Sequence, residues 1–172
     1  VGCAPGKGGG GRGGGGGAGG GGGGGGRGPA AGGEGMTAVV VGEACEQADI
    51  DAVLSVVNSF GKSEIIPEHL IDAESAAAGC SPAFTYMFIE SMADAAVLEG
   101  MPRAQAYRFA SQAVLGAAKM VLESGAHPGA LKDAVCSPGG TPLEGLRALD
   151  QRGMRPAVME ALAATVAKAQ RL

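Results

Sequence analysis

The chain has 172 residues, a formal net charge of −4 and 34 glycines, 23 of them within the first 35 positions. Scattered Lys and Arg with no basic stripe argue against a nucleic-acid surface. No apolar run approaches the length of a membrane span, and no signal peptide is visible.

From Gly8 to Gly28 the sequence is glycine broken only by Arg12, Ala18 and Arg27. Such a tract has no apolar surface to bury and maximal backbone entropy to lose, so residues 1–33 are expected to be disordered. Two arginines cannot neutralise much phosphate, which sets aside an RNA-binding reading of the tract. Its many G-x-G-x-x-G matches carry no dinucleotide signal, because no strand precedes them and no helix follows. Gly6-Lys7 likewise runs into Gly8, where a phosphate-binding P-loop needs Ser or Thr. Cys3, Cys45, Cys80 and Cys136 stand far apart, with no C-x-x-C pair and no His at ligand spacing. They read as reduced thiols of a cytoplasmic protein, with neither a disulfide framework nor a metal site.

Beyond the tract roughly 137 residues remain, ample for one compact domain. Met36 to Val41 is a short β-branched run ended by Gly42 and reads as a buried strand. From Glu46 to Asn58 the apolar positions Ile50, Val53, Leu54 and Val57 recur at three and four, which predicts a helix ended by Gly61. Lys62 to Ile66 predicts a second strand, closed by Pro67. Strand, helix, strand is the tail of an α/β unit, and two strands alone make no stable sheet. Residues 34–66 are therefore expected to be the last piece of a larger α/β domain.

From Pro67 the pattern is helical. Glu68 to Ala78 predicts a short helix stopped by Gly79, and Ser81 with Pro82 predicts a new N-cap and first turn for a helix to about Glu99. Pro102 opens another, two dozen residues long, ended by Gly125. Pro128 to Val135, Leu143 to Gln151 and Pro156 to Arg171 complete the series. Met87, Ile89, Val97 and Leu115 join the core stripes and leave the two long helices apolar on most of their circumference. Helices of that kind need partners on more than one side, which implies an oligomer.

Cys136-Ser137-Pro138-Gly139-Gly140-Thr141-Pro142-Leu143-Glu144 is the most informative stretch. Adjacent glycines admit unusual backbone angles and close approach by a ligand. Thr141 and Glu144 read as a capping box, with Pro142 at the first helical position. Such a stretch is ordinarily only a turn, yet a helix start aimed at solvent is also a ready anion site. His69 and His127 show no partner pattern for catalysis and read as surface or helix-start residues.

Several segments in order resemble the pyrroline-5-carboxylate reductase family: Phe60-Gly61-Lys62, Ser81-Pro82-Ala83-Phe84, Glu90 to Ala96, Pro102 to Tyr107, Gln112 to Met120, His127 to Asp133 and Ser137 to Thr141. The resemblance covers about Pro29 to Leu172. It implies reduction of 1-pyrroline-5-carboxylate to L-proline, the last step of proline biosynthesis, by NADPH or NADH. The implied fold class is mainly α: an all-helical interlocking dimerisation and substrate-binding domain (67–172), preceded by a short β-α-β remnant of a Rossmann domain (34–66). The implied partners are a homodimer, with decamers as a further assembly, and the small-molecule substrate. Ser137, Gly139, Gly140 and Thr141 match the motif whose main-chain N–H groups meet the substrate carboxylate. No catalytic nucleophile is implied, because the hydride comes from the nicotinamide.

The sequence departs from the family twice. The cofactor fingerprint is missing, Arg27-Gly28-Pro29 stands where Asn-Thr-Pro is usual, and no nicotinamide site can be built from what remains. Pro142 replaces a second threonine whose hydroxyl faces the substrate ring nitrogen. Two functions follow from the sequence: the reductase, of which this chain is a piece inactive alone, and a non-catalytic helical dimerisation module.

Overall fold

In the computed structural model, which describes residues 32–171, the apolar run after Gly35 forms strand β1, Gly35–Val39. Helix α1, Gln47–Val57, returns the chain to a second strand, β2, Gly61–Ile65. The strands pair in parallel, from Gly35 opposite Gly61 to Val39 opposite Ile65. A parallel pair needs a crossover of this length, so the β-α-β unit is the one the sequence implied. Gly61, however, does not end α1. Asn58 caps it in helical geometry, its N–H donating to Leu54 O at 3.0 Å. Gly61 instead starts β2, where the backbones pass so closely that a Cβ would stand 2.0 Å from the Gly35 carbonyl oxygen. The expectation for residues 1–33 falls outside the described residues, apart from positions 32 and 33.

After Pro67 comes a tight turn at Glu68–Leu70, then α2, Ile71–Glu74, a π-helical turn over Ser75–Cys80, and α3, Ser81–Leu98. These last three run on without a break, which corrects the expected stop at Gly79 and the expected N-cap at Ser81. Pro82 has no N–H, and in a regular α-helix its ring would meet the carbonyl four residues back. The wider π turn absorbs that misfit while the helix continues. Ser81 spends its hydroxyl backwards, donating to Ala77 O at 2.6 Å. Partial burial at the head of this turn pushes the Glu74 carboxyl above the ordinary carboxylate range.

The described residues form two compact units, those up to Pro82 together with those from Leu162, and Ala83–Ala161. In the first, Gly35, Val57 and Ala76 are buried. The second holds most of α3, then α4 (Arg103–Ser124), α5 (Pro128–Ala134), α6 (Thr141–Gln151) and the start of α7 (Met154–Ala169). Its core is Ala93, Ala106 and Ala110, flanked by Ile89, Met92, Ala96, Val97 and Met101. Its buried members are all alanines, so little side-chain bulk stands between α3 and α4 where they meet. Their connection is fixed by an ion pair of Arg103 with Asp94, which raises the guanidinium above its usual value, and by Arg103 standing 5.7 Å over the Tyr107 ring. Gly125, at φ 63°, supplies the left-handed cap that stops α4.

The fold is mainly α, as the sequence indicated. Among the described residues the buried apolar set is Val57 and four alanines, while Leu98, Leu122, Met159 and Phe109 are 65% to 86% exposed. Burial of apolar area is what offsets chain entropy, and so small a set offsets little of it. The second unit thus presents broad apolar faces that one copy of the chain leaves uncovered.

Candidate functional site

The candidate site is the turn joining α5 to α6. Cys136 N–H donates to Asp133 O at 3.0 Å, and Gly140 N–H to Ser137 O at 2.9 Å, closing a turn with Pro138 and Gly139 in the middle. Pro138 suits the second position of a type II turn, and Gly139 at φ 71° supplies the positive φ required at the third. Gly140 is different: φ −71°, ψ 153° is extended backbone open to any residue. Its need for glycine is steric, because a Cβ there would stand 2.6 Å from Ser137 Oγ and 3.0 Å from Ser137 O.

Gly140 is also the N-cap of α6, which corrects the expected capping box. With Gly140 already in the extended cap conformation, Thr141 is the first helical residue and its side chain cannot reach back as a cap. Glu144 turns instead to Arg147, accepting from Nε at 3.0 Å and Nη2 at 2.7 Å. Leu143 N–H is satisfied by Gly140 O at 3.2 Å, and Pro142 has no N–H to offer. The Thr141 N–H is therefore the main-chain donor at this end with no helical carbonyl before it. Ser137, Gly139 and Thr141 are exposed and Gly140 is half-buried, so all four expected residues lie together on one accessible turn.

Beside α6 runs a groove of about 340 Å³ lined by Lys132, Leu143, Leu146, Arg147, Asp150 and Arg155, among others. The sequence reading missed it, and the 144/147 spacing was its only hint. Its cations are committed: Lys132 to Asp133, which raises the ammonium above its usual value, Arg147 to Glu144, and Arg155 to Asp150 at 3.2 Å. It offers an anion no uncommitted charge. A larger hollow of about 740 Å³ lies along α4, which supplies all of its lining among the described residues, with Tyr107, Phe109 and Leu115 on it.

A dinucleotide does not fit the described β-α-β unit. The connection from β1 to α1, residues 40–46, contains a single glycine, Gly42. At the start of α1, Asp49 Oδ2 accepts the Glu46 N–H at 3.3 Å, so two carboxylates stand where a pyrophosphate would need bare N–H groups. His69 lies exposed in the turn before α2, and His127 caps α5. Cys80 and Cys136 are free thiols, and no group of His, Cys, Asp or Glu among the described residues is placed to hold a metal. None of the described helices is long and apolar enough to cross a membrane.

Residues 68–172 match the family model described as pyrroline-5-carboxylate reductase dimerisation. The chain is 53% identical over 144 residues to the pyrroline-5-carboxylate reductase of Escherichia coli, covering 84% of this chain and 54% of that protein. It resembles the crystal structure of the Plasmodium falciparum pyrroline carboxylate reductase with NADP bound at a TM-score of 0.77 and 33% identity, over 83% of this chain and 58% of that one. The enzyme of Streptococcus pyogenes gives a TM-score of 0.78 at 36% identity, over 84% and 56%. The chain thus spans about half the length of the relatives it matches.

Proposed function

The chain belongs to the pyrroline-5-carboxylate reductase family, and on that premise we propose that it supplies the dimerisation and substrate-binding part of an enzyme reducing 1-pyrroline-5-carboxylate to L-proline. The observation that carries this reading is the accessible turn at Ser137–Thr141, where Gly139 at φ 71° leads into an α6 start whose Thr141 N–H has no helical carbonyl before it. A carboxylate seated there is favoured by the helix dipole and by the Thr141 N–H. Ser137, Gly139, Gly140 and Thr141 position the substrate, and the ring is reduced by hydride from NADPH or NADH. No step of that transfer is assigned to residues of this chain, because its β-α-β unit does not fit the dinucleotide. The protein's share is orientation and charge neutralisation.

The uncovered apolar faces of α3 and α4 support assembly through this domain as a homodimer, with decamers as a further level, in the cytoplasm. A second reading, a non-catalytic dimerisation module, is favoured by one observation: Glu46 and Asp49 at the start of α1 repel a pyrophosphate. One experiment addresses both. L-proline, the expected product, is titrated into the chain while the amide resonances of Gly139, Gly140 and Thr141 are followed, and NADPH absorbance is monitored with pyrroline-5-carboxylate. Shifts at the turn without cofactor oxidation are expected. An unmoved turn at saturating proline would remove the substrate role and leave the module reading, whereas oxidation above background would overturn the assignment of a chain inactive alone.

A further inference from the structure

Helix α4 carries in mid-course a glycine that nothing among the described residues requires. Gly116 has no positive φ, and a Cβ added to it would meet no atom within 4 Å. Glycine in a helix interior is nonetheless worse than alanine by about fivefold in the helix equilibrium.

The side chains around Gly116 are large. Spacings of seven, four and four put Phe109, Gln112 and Met120 on its stripe, and Leu115 stands beside it. Phe109 is 65% exposed, and Leu115 and Met120 are 53% exposed. The hollow of about 740 Å³ along α4 lies on the same side, with Phe109, Gln112 and Leu115 on it. Large side chains around a missing one form a notch, the shape that takes a knob from a facing helix.

We propose that the notch at Gly116 receives an apolar side chain from a second copy of this chain, so that the two protomers approach most closely there. The proposal rests on the homodimer inferred above and names the point of contact. Two observations favour a second copy as the occupant. Residues 68–172, which include all of α4, match the model described as dimerisation. The charges left over are also self-complementary: among the described residues Arg108 on α4 makes no ion pair, and neither does Glu90 on α3. An isologous contact sets a surface against its own copy, for which an unpaired cation and an unpaired carboxylate on adjacent helices are matching charges.

The test is the dimer dissociation constant of the whole chain, from sedimentation equilibrium, for wild type, Gly116→Ala, Gly116→Leu and Gly145→Ala. Gly145 in α6 is the matched control: it too is helical, has no positive φ and has nothing within 4 Å of an added Cβ, but it lies outside the hollow. With an empty notch, alanine at either position improves its helix and leaves the dissociation constant equal or lower. With the notch filled, Gly116→Ala is expected to raise it about tenfold and Gly116→Leu further, the size of overpacking, while Gly145→Ala does not. Because alanine favours the helix, a weaker dimer in Gly116→Ala does not come from failure of α4 to form. A Gly116→Ala dimer as tight as wild type would overturn the notch and leave the homodimer standing. A wild-type chain that stays monomeric at every concentration would overturn both.

Discussion

Gly140→Ala tests the geometry of the site most directly, because its cost divides into parts that a second substitution separates. The backbone angles at Gly140 suit alanine, so no conformational strain arises from φ and ψ. The difficulty is the new methyl group, 2.6 Å from Ser137 Oγ and 3.0 Å from Ser137 O. Relieving the first contact turns the Ser137 side chain off its rotamer, at about 0.5–1.5 kcal/mol. Relieving the second stretches the hydrogen bond from the residue-140 N–H to Ser137 O, worth about 0.5–1.5 kcal/mol. Against this, alanine lowers the entropy of the unfolded chain and returns about 0.4–1 kcal/mol. The net is a loss of about 1 kcal/mol, or roughly a fivefold faster exchange of the residue-140 amide. Adding Ser137→Ala removes the hydroxyl and with it the first part, so the double variant should come back to about wild-type protection. Amide exchange on the single and double variants measures both. A single variant as well protected as wild type, or a double variant no better than the single, would refute the steric account of Gly140.

Two further outcomes follow from the first unit. Gly61→Ala drives a methyl group to 2.0 Å from the Gly35 carbonyl oxygen, with backbone atoms on the far side that cannot swing away. The strands must separate, weakening bonds such as Gly35 N–H to Phe60 O at 3.2 Å, and urea unfolding should show a loss of about 2–4 kcal/mol; less than about 1 kcal/mol would contradict the register. Glu74→Gln acts through pH. Burial raises the Glu74 carboxyl, so the folded state favours the neutral acid, and its advantage is full at low pH and lost as pH rises through the raised value. Gln removes the penalty carried at neutral pH, so it stabilises the fold slightly there, and it gives no gain near pH 3.5. Urea midpoints at pH 3.5 and 7.5 check this, and an equal shift at both would sink it.

Local rules made much of the chain legible in advance. Apolar spacing located α1, α3 and α4, Gly125 stopped α4, and Pro102 and Pro128 marked helix starts within a residue. Ser137-Pro138-Gly139-Gly140 announced a turn because Pro and Gly restrict or free φ whatever surrounds them. The same rules failed where neighbours competed for one role. Ser81-Pro82 has the composition of a helix start, but the preceding turn widened and the helix ran through it. Thr141-x-x-Glu144 has the composition of a capping box, but Gly140 took the cap and Arg147 took the glutamate.

What the sequence by itself determined is therefore the mainly helical class, the β-α-β segment, and the presence of a tight glycine turn feeding a helix, all set by backbone preferences within a few residues. What only the tertiary structure decided is which glycine serves which need. Gly139 is required by its own φ and Gly140 by Ser137 within the same turn, both local properties, whereas Gly61 is required by Gly35, which only the pairing of β1 with β2 brings against it. Steric exclusion between residues apart in sequence has no signature in composition, so the need for glycine at position 61 could be read only once the chain was folded.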